Sequence, residues 1–429
     1  MEDNPVKSAK PAGALVVRGI GRLLSMAPGA PAEGLPDAAV VIRDGDIEWV
    51  GARSELPAGI ADDLPTLDAA GGLVTPGLVE CHTHLVHGGS RSDEFEARAA
   101  GMPYEEIARR GGGILRTVAA TRSATRGELV ESAIPRVRDF LARGVTTIEV
   151  KSGYGLDLPS ELKILEAIRD LQAATPADLV PTFLGAHAIP PEAVADRGAL
   201  VRSIAEVWIP AVAQAGLARF CDVFCETVAF TVDEARRILQ AGLEHGLRPK
   251  VHADQLTACG GAELAARMGA VSADHLDCAP AGSLAGLAAA GTVAVLLPGC
   301  MVSLGRTRFP DARPFRAAGI PVAVSTDYNP GSSVTRDLPL MGTFAMAYLG
   351  LSLADAWAAV TSSAAAAVGL GDRVGRVVAG FQGDLAIWPG DDPRGPFYTY
   401  GGAAPDLVVK RGCVVVRRAV GFPVQGSVS

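Results

Sequence analysis

His82 and His84 are separated by a single Thr at the end of an apolar run, L-V-E-C-H-T-H. Residues two apart on a strand point to the same face, so both imidazoles can reach one ion. Neutral imidazole nitrogen suits zinc, iron or nickel, with zinc–nitrogen bonds of about 2.0–2.1 Å. An H-x-H pair alone reads equally well as two surface histidines at a strand end. Here, however, His187, His252 and His275 also end apolar, strand-like runs, and Asp327 closes P-V-A-V-S-T-D. His252 is the best third imidazole and Asp327 the best carboxylate. Three His and one Asp, with room for a water, make a hydrolytic rather than a structural metal site. A second ion would usually need a bridging carboxylate or a carboxylated lysine. The fourth run ends in Cys225 and Glu226, while Lys151 closes the second run, where an ion pair with Glu149 or a neighbour accounts for it. A single metal is expected.

These residues need a scaffold that gathers strand ends. Between about Leu73 and Leu370, eight apolar runs alternate with Ala-rich helical stretches such as Pro159–Ala174, Val232–Gly246 and Gly261–Gly269. The runs are L-V-E-C-H-T-H, V-T-T-I-E-V-K, L-V-P-T-F-L-G-A-H, C-D-V-F-C-E, P-K-V-H-A-D, A-V-S-A-D-H-L, V-A-V-L-L-P and P-V-A-V-S-T-D. Repeated strand–helix units imply a parallel sheet, and eight of them imply an α/β fold of the (β/α)8 TIM-barrel type. In such a barrel the catalytic groups come from the C-terminal ends of the strands, which is where the titratable residues recur. A doubly wound open sheet is the alternative, but no run is followed by G-x-G-x-x-G. The Gly-rich stretch I-A-R-R-G-G-G-I-L-R-T reads as a mobile loop in the long first crossover, and residues 1–12 as a loose tail. Short β-runs with turn signals flank the barrel on both sides. Together they predict a small β-sandwich, with 1–75 and 370–429 as its two parts and 76–369 as the inserted barrel.

Composition narrows the partners. Lys plus Arg number 39 and Asp plus Glu 47 in 429 residues, a net charge of −8, and aromatics make up only 5%. That argues against nucleic acid and against a base-stacking platform. No uninterrupted apolar run approaches the roughly 18 residues of a membrane span. The polar N-terminal stretch has no secretory h-region. Seven scattered Cys without a CxxC fit neither a disulfide framework nor a zinc knuckle. A cytoplasmic protein with a small-molecule substrate, and no nucleic-acid or membrane partner, is expected.

The first run in its context, T-P-G-L-V-E-C-H-T-H-L-V-H-G-G-S-R, resembles the first-strand signature of the amidohydrolase superfamily. Within it, E-V-K-S-G-Y-G, F-L-G-A-H-A-I-P, V-H-A-D-Q-L, S-A-D-H-L and S-T-D-Y-N-P-G-S resemble the imidazolonepropionases. H-T-H and H-A-D are widely shared; K-S-G-Y-G together with D-Y-N-P-G-S is much more specific. The resemblance implies hydrolysis of 4-imidazolone-5-propanoate to N-formimino-L-glutamate in histidine degradation, with one zinc or iron ion held by His82, His84, His252 and Asp327. It further implies substrate contacts at Arg91, Tyr154, His187, Gln255, Asn329, Gly331 and Ser332, and superfamily habit suggests a homodimer.

Asp327 and His275 are the expected proton handlers for opening a ring amide, and the sequence does not divide the roles between them. Arg91 can grip a propanoate carboxylate bidentately, and Tyr104 is expected to close over the site. Related deaminases place a Glu three residues after the fifth-strand His. Here that position is Gln255, whose amide can orient water or substrate but cannot act as a general base, which argues against deamination. The competing readings are another cyclic-amide or amidine hydrolase and a non-catalytic metal-binding barrel. His87 and His245 are given no role: the first by its offset from His82 and His84, the second by its late position in a helical stretch.

Overall fold

The computed structural model describes residues 12–102, 106 and 112–418. The N-terminal tail up to residue 11, Tyr104 and the first half of the Gly-rich stretch lie outside the described residues. The chain divides into two compact units. One comprises the residues up to Gly77, Leu141–Gly144 and the residues from Arg376 on; the other comprises Leu78–Phe140 and Val145–Gly375.

The first unit holds β1 (Leu15–Leu23), β2 (Leu35–Arg43), β3 (Asp46–Ala52), β4 (Thr66–Asp68) and β5 (Leu73–Pro76). The second holds β6 (Leu78–Glu80), β7 (Val145–Lys151), β8 (Asp178–Ala186), β9 (Phe220–Cys225), β10 (Arg248–Ala253), β11 (Ser272–His275), β12 (Val293–Leu296) and β13 (Val322–Val324). The chain then returns to the first unit with β14 (Leu385–Trp388), β15 (Leu407–Lys410) and β16 (Cys413–Arg417). The two ends of the chain thus meet in one mixed sheet of order β16-β15-β14-β5-β1-β2-β3, with β4 pairing β1. Its core is aliphatic and includes Val17, Val40, Ile42, Val74, Ile387 and Val409.

In the second unit β6 to β13 form an eight-stranded sheet in sequence order, every neighbouring pair parallel. Beyond the ends of β6 and β13, Thr83 bridges Tyr328 in parallel, and the His84 amide donates to the Tyr328 carbonyl at 2.8 Å. The first and last strands therefore meet, and the sheet closes as a TIM-type barrel. Helix caps end the loops that follow the strands. Asp157 accepts from the Ser160 amide at the start of helix Leu158–Ala174, and Thr231 with Glu234 forms a capping box on helix Val232–Glu244.

Two expectations are corrected. The L-V-E-C-H-T-H strand stops at Glu80, so His82 and His84 lie just past it; their common direction comes from the Thr83 bridge. The Gly-rich stretch is not loop throughout, because Ile114 opens a helix that runs to Ser123, with Gly113 before it at φ +79°. Among the described residues no helix is long and apolar enough to cross a membrane.

Candidate active site

Alternation along the strands aims one residue in two into the barrel. The pairs Glu80/His82, Glu149/Lys151, Lys250/His252 and Ser272/Asp274 follow that period, and all eight are buried. At the rim, the ring of His82 lies 5.5 Å from that of His84 and 4.6 Å from that of His252, centre to centre. One nitrogen from each of these three imidazoles falls within 4.8 Å of the others, the one metal-competent group of its kind among the described residues. Asp327 Oδ1 stands 3.5 Å from His82 Nε2 and 3.7 Å from His84 Nε2.

A hydrogen bond fixes the ligand atom of His82. His82 Nδ1 pairs with Asp274 Oδ2 at 2.7 Å and so carries the proton, which leaves Nε2 bare; that atom is buried and has no partner. His252 Nδ1 faces Asp222 Oδ2 at 3.1 Å, and its Nε2 is likewise buried and unpaired. His84 Nδ1 is buried without a partner as well. Burial holds the imidazoles of His82 and His84 well below their usual range, so both are neutral at pH 7. Orphaned imidazole nitrogens converging beside a carboxylate fit a zinc or iron ion.

Other groups crowd the same rim. His275 sits at φ +76° with a buried, unpaired Nδ1, its ring 5.4 Å from His252. Asp327 and Asp254 also have positive φ, +51° and +50°. Such backbone is uncommon for non-glycine residues and concentrates at functional sites. Burial pushes the Asp327 carboxyl up to about 7, against the opposing pull of His252 and the Asn329 hydrogen bond. His187 stacks on His84 at 4.8 Å, with Nδ1 on the Gly153 carbonyl at 3.0 Å. Tyr154 lies 5.6 Å from the His84 ring and 5.5 Å from the His187 ring.

The loops carrying these groups are tied down from below. Glu161 accepts from the amides of Gly153, Gly155 and Leu156, which fixes the turn that bears Tyr154. Glu226 accepts from the Leu256 and Thr257 amides, next to Gln255. Asn329 Oδ1 accepts from the Gly331 and Ser332 amides, while its Nδ2 donates to the Asp327 carbonyl and to Ser332 Oγ. Arg91 is gripped by Glu94 through Nε and Nη2, each at 2.8 Å. Its guanidinium lies against Gly331 so closely that a Cβ there would stand 2.2 Å from Nη1.

Of the residues picked out by sequence, the three imidazoles, Asp327, His275, His187 and Tyr154 come together directly. Asn329, Gly331 and Ser332 share one turn, with Arg91 against it. Gln255 stands further off, its Nε2 3.9 Å from Cys300 Sγ. His87 is buried outside the cluster, and His245 is exposed at a helix end. Lys151 does pair with Glu149, at 3.2 Å, yet its contact to Asp222 is shorter, 2.7 Å. Asp222, Asp274 and Glu161 were not picked out, and Glu226 was noted only as the end of the fourth run. The available signal was a carboxylate inside or next to an apolar run, which must find a partner once buried.

Comparison with known proteins extends this picture. The profile of the Amidohydrolase family matches residues 73–415. The chain is 48% identical to an imidazolonepropionase of Myxococcus xanthus over 384 residues, 89% of this chain and 91% of that protein. It is 45% identical to an imidazolonepropionase of Cupriavidus pinatubonensis over 382 residues, 89% and 90% of the two chains. In fold it is similar to a 5-methylcytosine deaminase from Klebsiella pneumoniae, with a TM-score of 0.72 at 19% identity, covering 95% of this chain and 98% of that one.

Proposed function

This chain belongs to the amidohydrolase family, within it to the imidazolonepropionases, and from that premise we infer its reaction. It hydrolyses the ring amide of 4-imidazolone-5-propanoate to N-formimino-L-glutamate, a step of histidine degradation. The near-full-length identity to imidazolonepropionases carries the reading, and the site offers the chemistry that this reaction needs.

His82, His84, His252 and Asp327 would hold the metal ion. A bound zinc or iron ion supplies Lewis-acid activation of the ring carbonyl and lowers the pKa of water towards about 7. The remaining work falls to the protein. Arg91, held by Glu94 in a part-buried position, presents its fork to the propanoate carboxylate. Tyr154 and His187 border the ring, and the Asn329–Ser332 turn shapes the wall against which Arg91 lies. Gln255 orients substrate or water without exchanging a proton. Asp327 takes the proton of the attacking water as the new C–O bond forms. It returns that proton to the ring nitrogen as the C–N bond breaks. His275 offers its unpaired Nδ1 to the carbonyl oxygen. The seven cysteines are all free thiols, which supports a reducing compartment and a cytoplasmic enzyme.

The test is hydrolysis of fresh 4-imidazolone-5-propanoate by metal-loaded and by chelator-stripped protein, with the product identified. Metal-dependent formation of N-formimino-L-glutamate is expected. No turnover by protein shown to carry one metal ion would reject the substrate and direct the search to other cyclic amides and amidines.

A further inference from the structure

Below the histidines the barrel interior is charged. Lys151, Lys250, Glu149, Asp222 and Asp274 are all fully buried, in a place that barrels ordinarily fill with branched apolar side chains. Removing such ions from water is costly, so stability alone is a poor account of the layer. The two ammonium groups differ in what they touch. Lys250 Nζ bonds Glu149 Oε2 at 2.7 Å, while Glu149 Oε1 accepts from Thr182 Oγ1 and, at 3.2 Å, from Lys151 Nζ. Lys151, at the end of β7, reaches across to β9 and β11, with Nζ 2.7 Å from Asp222 Oδ2 and 3.1 Å from Asp274 Oδ2.

Those two oxygens are the ones that back the metal-site histidines. Asp274 Oδ2 lies 2.7 Å from His82 Nδ1, and Asp222 Oδ2 lies 3.1 Å from His252 Nδ1. Each oxygen is thus flanked by an imidazole on one side and the same ammonium on the other. We propose that Lys151 is a positioning residue for the metal centre: one cation fixes both carboxylates, and through them the ring orientation and bare Nε2 of His82 and His252. Partners one shell behind metal-ligating histidines typically carry about 10- to 100-fold in metal affinity. A group that holds two such partners at once should act on that scale. The proposal rests on the reading that His82, His84 and His252 bind a metal ion.

The experiment is a titration of metal-stripped protein with zinc against a chromophoric chelator, with circular dichroism as the control for folding. Uptake of one zinc by the wild type tests the underlying reading by itself; no uptake overturns both. Lys151→Met, which keeps the apolar stem, is expected to weaken zinc binding about 10- to 100-fold. Lys250→Met, which removes an equally buried ammonium without touching Asp222 or Asp274, should weaken it much less. The cobalt-substituted Lys151→Met protein should also show displaced ligand-field bands. Wild-type affinity in Lys151→Met, or an equal loss in both variants, overturns the proposal. Should Lys151→Met not fold, Lys151→Met/Asp222→Asn removes a cation together with an anion and is compared with Asp222→Asn alone. Weaker zinc binding in the double variant is expected, because Asp274 has also lost its anchor; equal binding overturns the proposal.

Discussion

Arg91 is set for its task by two neighbours of opposite kinds: Glu94 holds the guanidinium by two contacts, and Gly331 makes room for it. Two different substitutions should therefore converge on one kinetic defect. Arg91→Lys keeps the charge but loses the planar fork. Gly331→Ala keeps the fork but drives a methyl into it. Both are expected to raise KM for the substrate about tenfold, the equivalent of roughly 1.4 kcal/mol of lost carboxylate recognition, with a smaller change in kcat. Steady-state kinetics on the two variants decide the matter, and an unchanged KM in both would remove Arg91 from substrate binding. Asp327 makes a sharper prediction. It is placed both to face the metal site and to carry the transferred proton, and an amide can do neither at full strength. Asp327→Asn should lose nearly all turnover while its circular dichroism spectrum stays that of the wild type; near-wild-type kcat would dismiss it from both roles.

Between single residues and the fold lie the loops at the strand ends, and the one after β7 is tightly built. The buried carboxylate of Glu161 accepts three backbone amides, those of Gly153, Gly155 and Leu156, and so sets where Tyr154 stands. Glu161→Gln retains the size but replaces one accepting oxygen with a donor, leaving an amide opposed to an N–H. About 1–3 kcal/mol of stability should go. Hydrogen exchange at residues 153–156 should rise, and kcat/KM should fall several-fold; exchange at the wild-type rate would mean that the loop holds its shape without Glu161. This anchor also marks the boundary of what the sequence discloses. The strand ends were legible, because apolar runs stopping at His or Asp betray both the strand and its mouth. The supports were not, since Glu161 looks like any early-helix glutamate until its loop folds back over it. Asp222 and Asp274 were hidden for a different reason. Their partner Lys151 lies two strands away from Asp222 and four from Asp274 around the barrel, a relation fixed by closure and not by sequence spacing. The end of the first strand was misjudged because Thr83 continues the extended path by a single bridge to Tyr328, beyond regular pairing.

Across the whole molecule, the concentration of imidazoles inside the barrel couples folding to pH. His87 is the cleanest case, being buried beside the cluster and outside the metal group. Burial pushes its imidazole down to about 3, with Arg136 adding to the effect. In the unfolded chain the same ring titrates near its ordinary value, about 6.5. Between these values the unfolded state binds a proton that the folded state refuses. The neutral ring's full contribution is therefore present above about pH 6.5 and is lost as pH falls towards 3, at up to about 1.4 kcal/mol per pH unit. His82, His84, His187 and His275 are shifted in the same direction, burial being the first cause in each. Glu80 opposes them: burial raises its carboxyl to about 8, so its contribution is complete below about 4.5 and fades as pH rises through 8. Stability should consequently be greatest near neutrality. A single variant isolates one contribution. His87→Asn retains a polar side chain that does not titrate, so its deficit against the wild type should shrink by about 2 kcal/mol between pH 7 and pH 5. Urea unfolding of both proteins at the two pH values measures that change. A deficit that stays constant would show that His87 accepts its proton in the folded state, and that the interior around it is open to water.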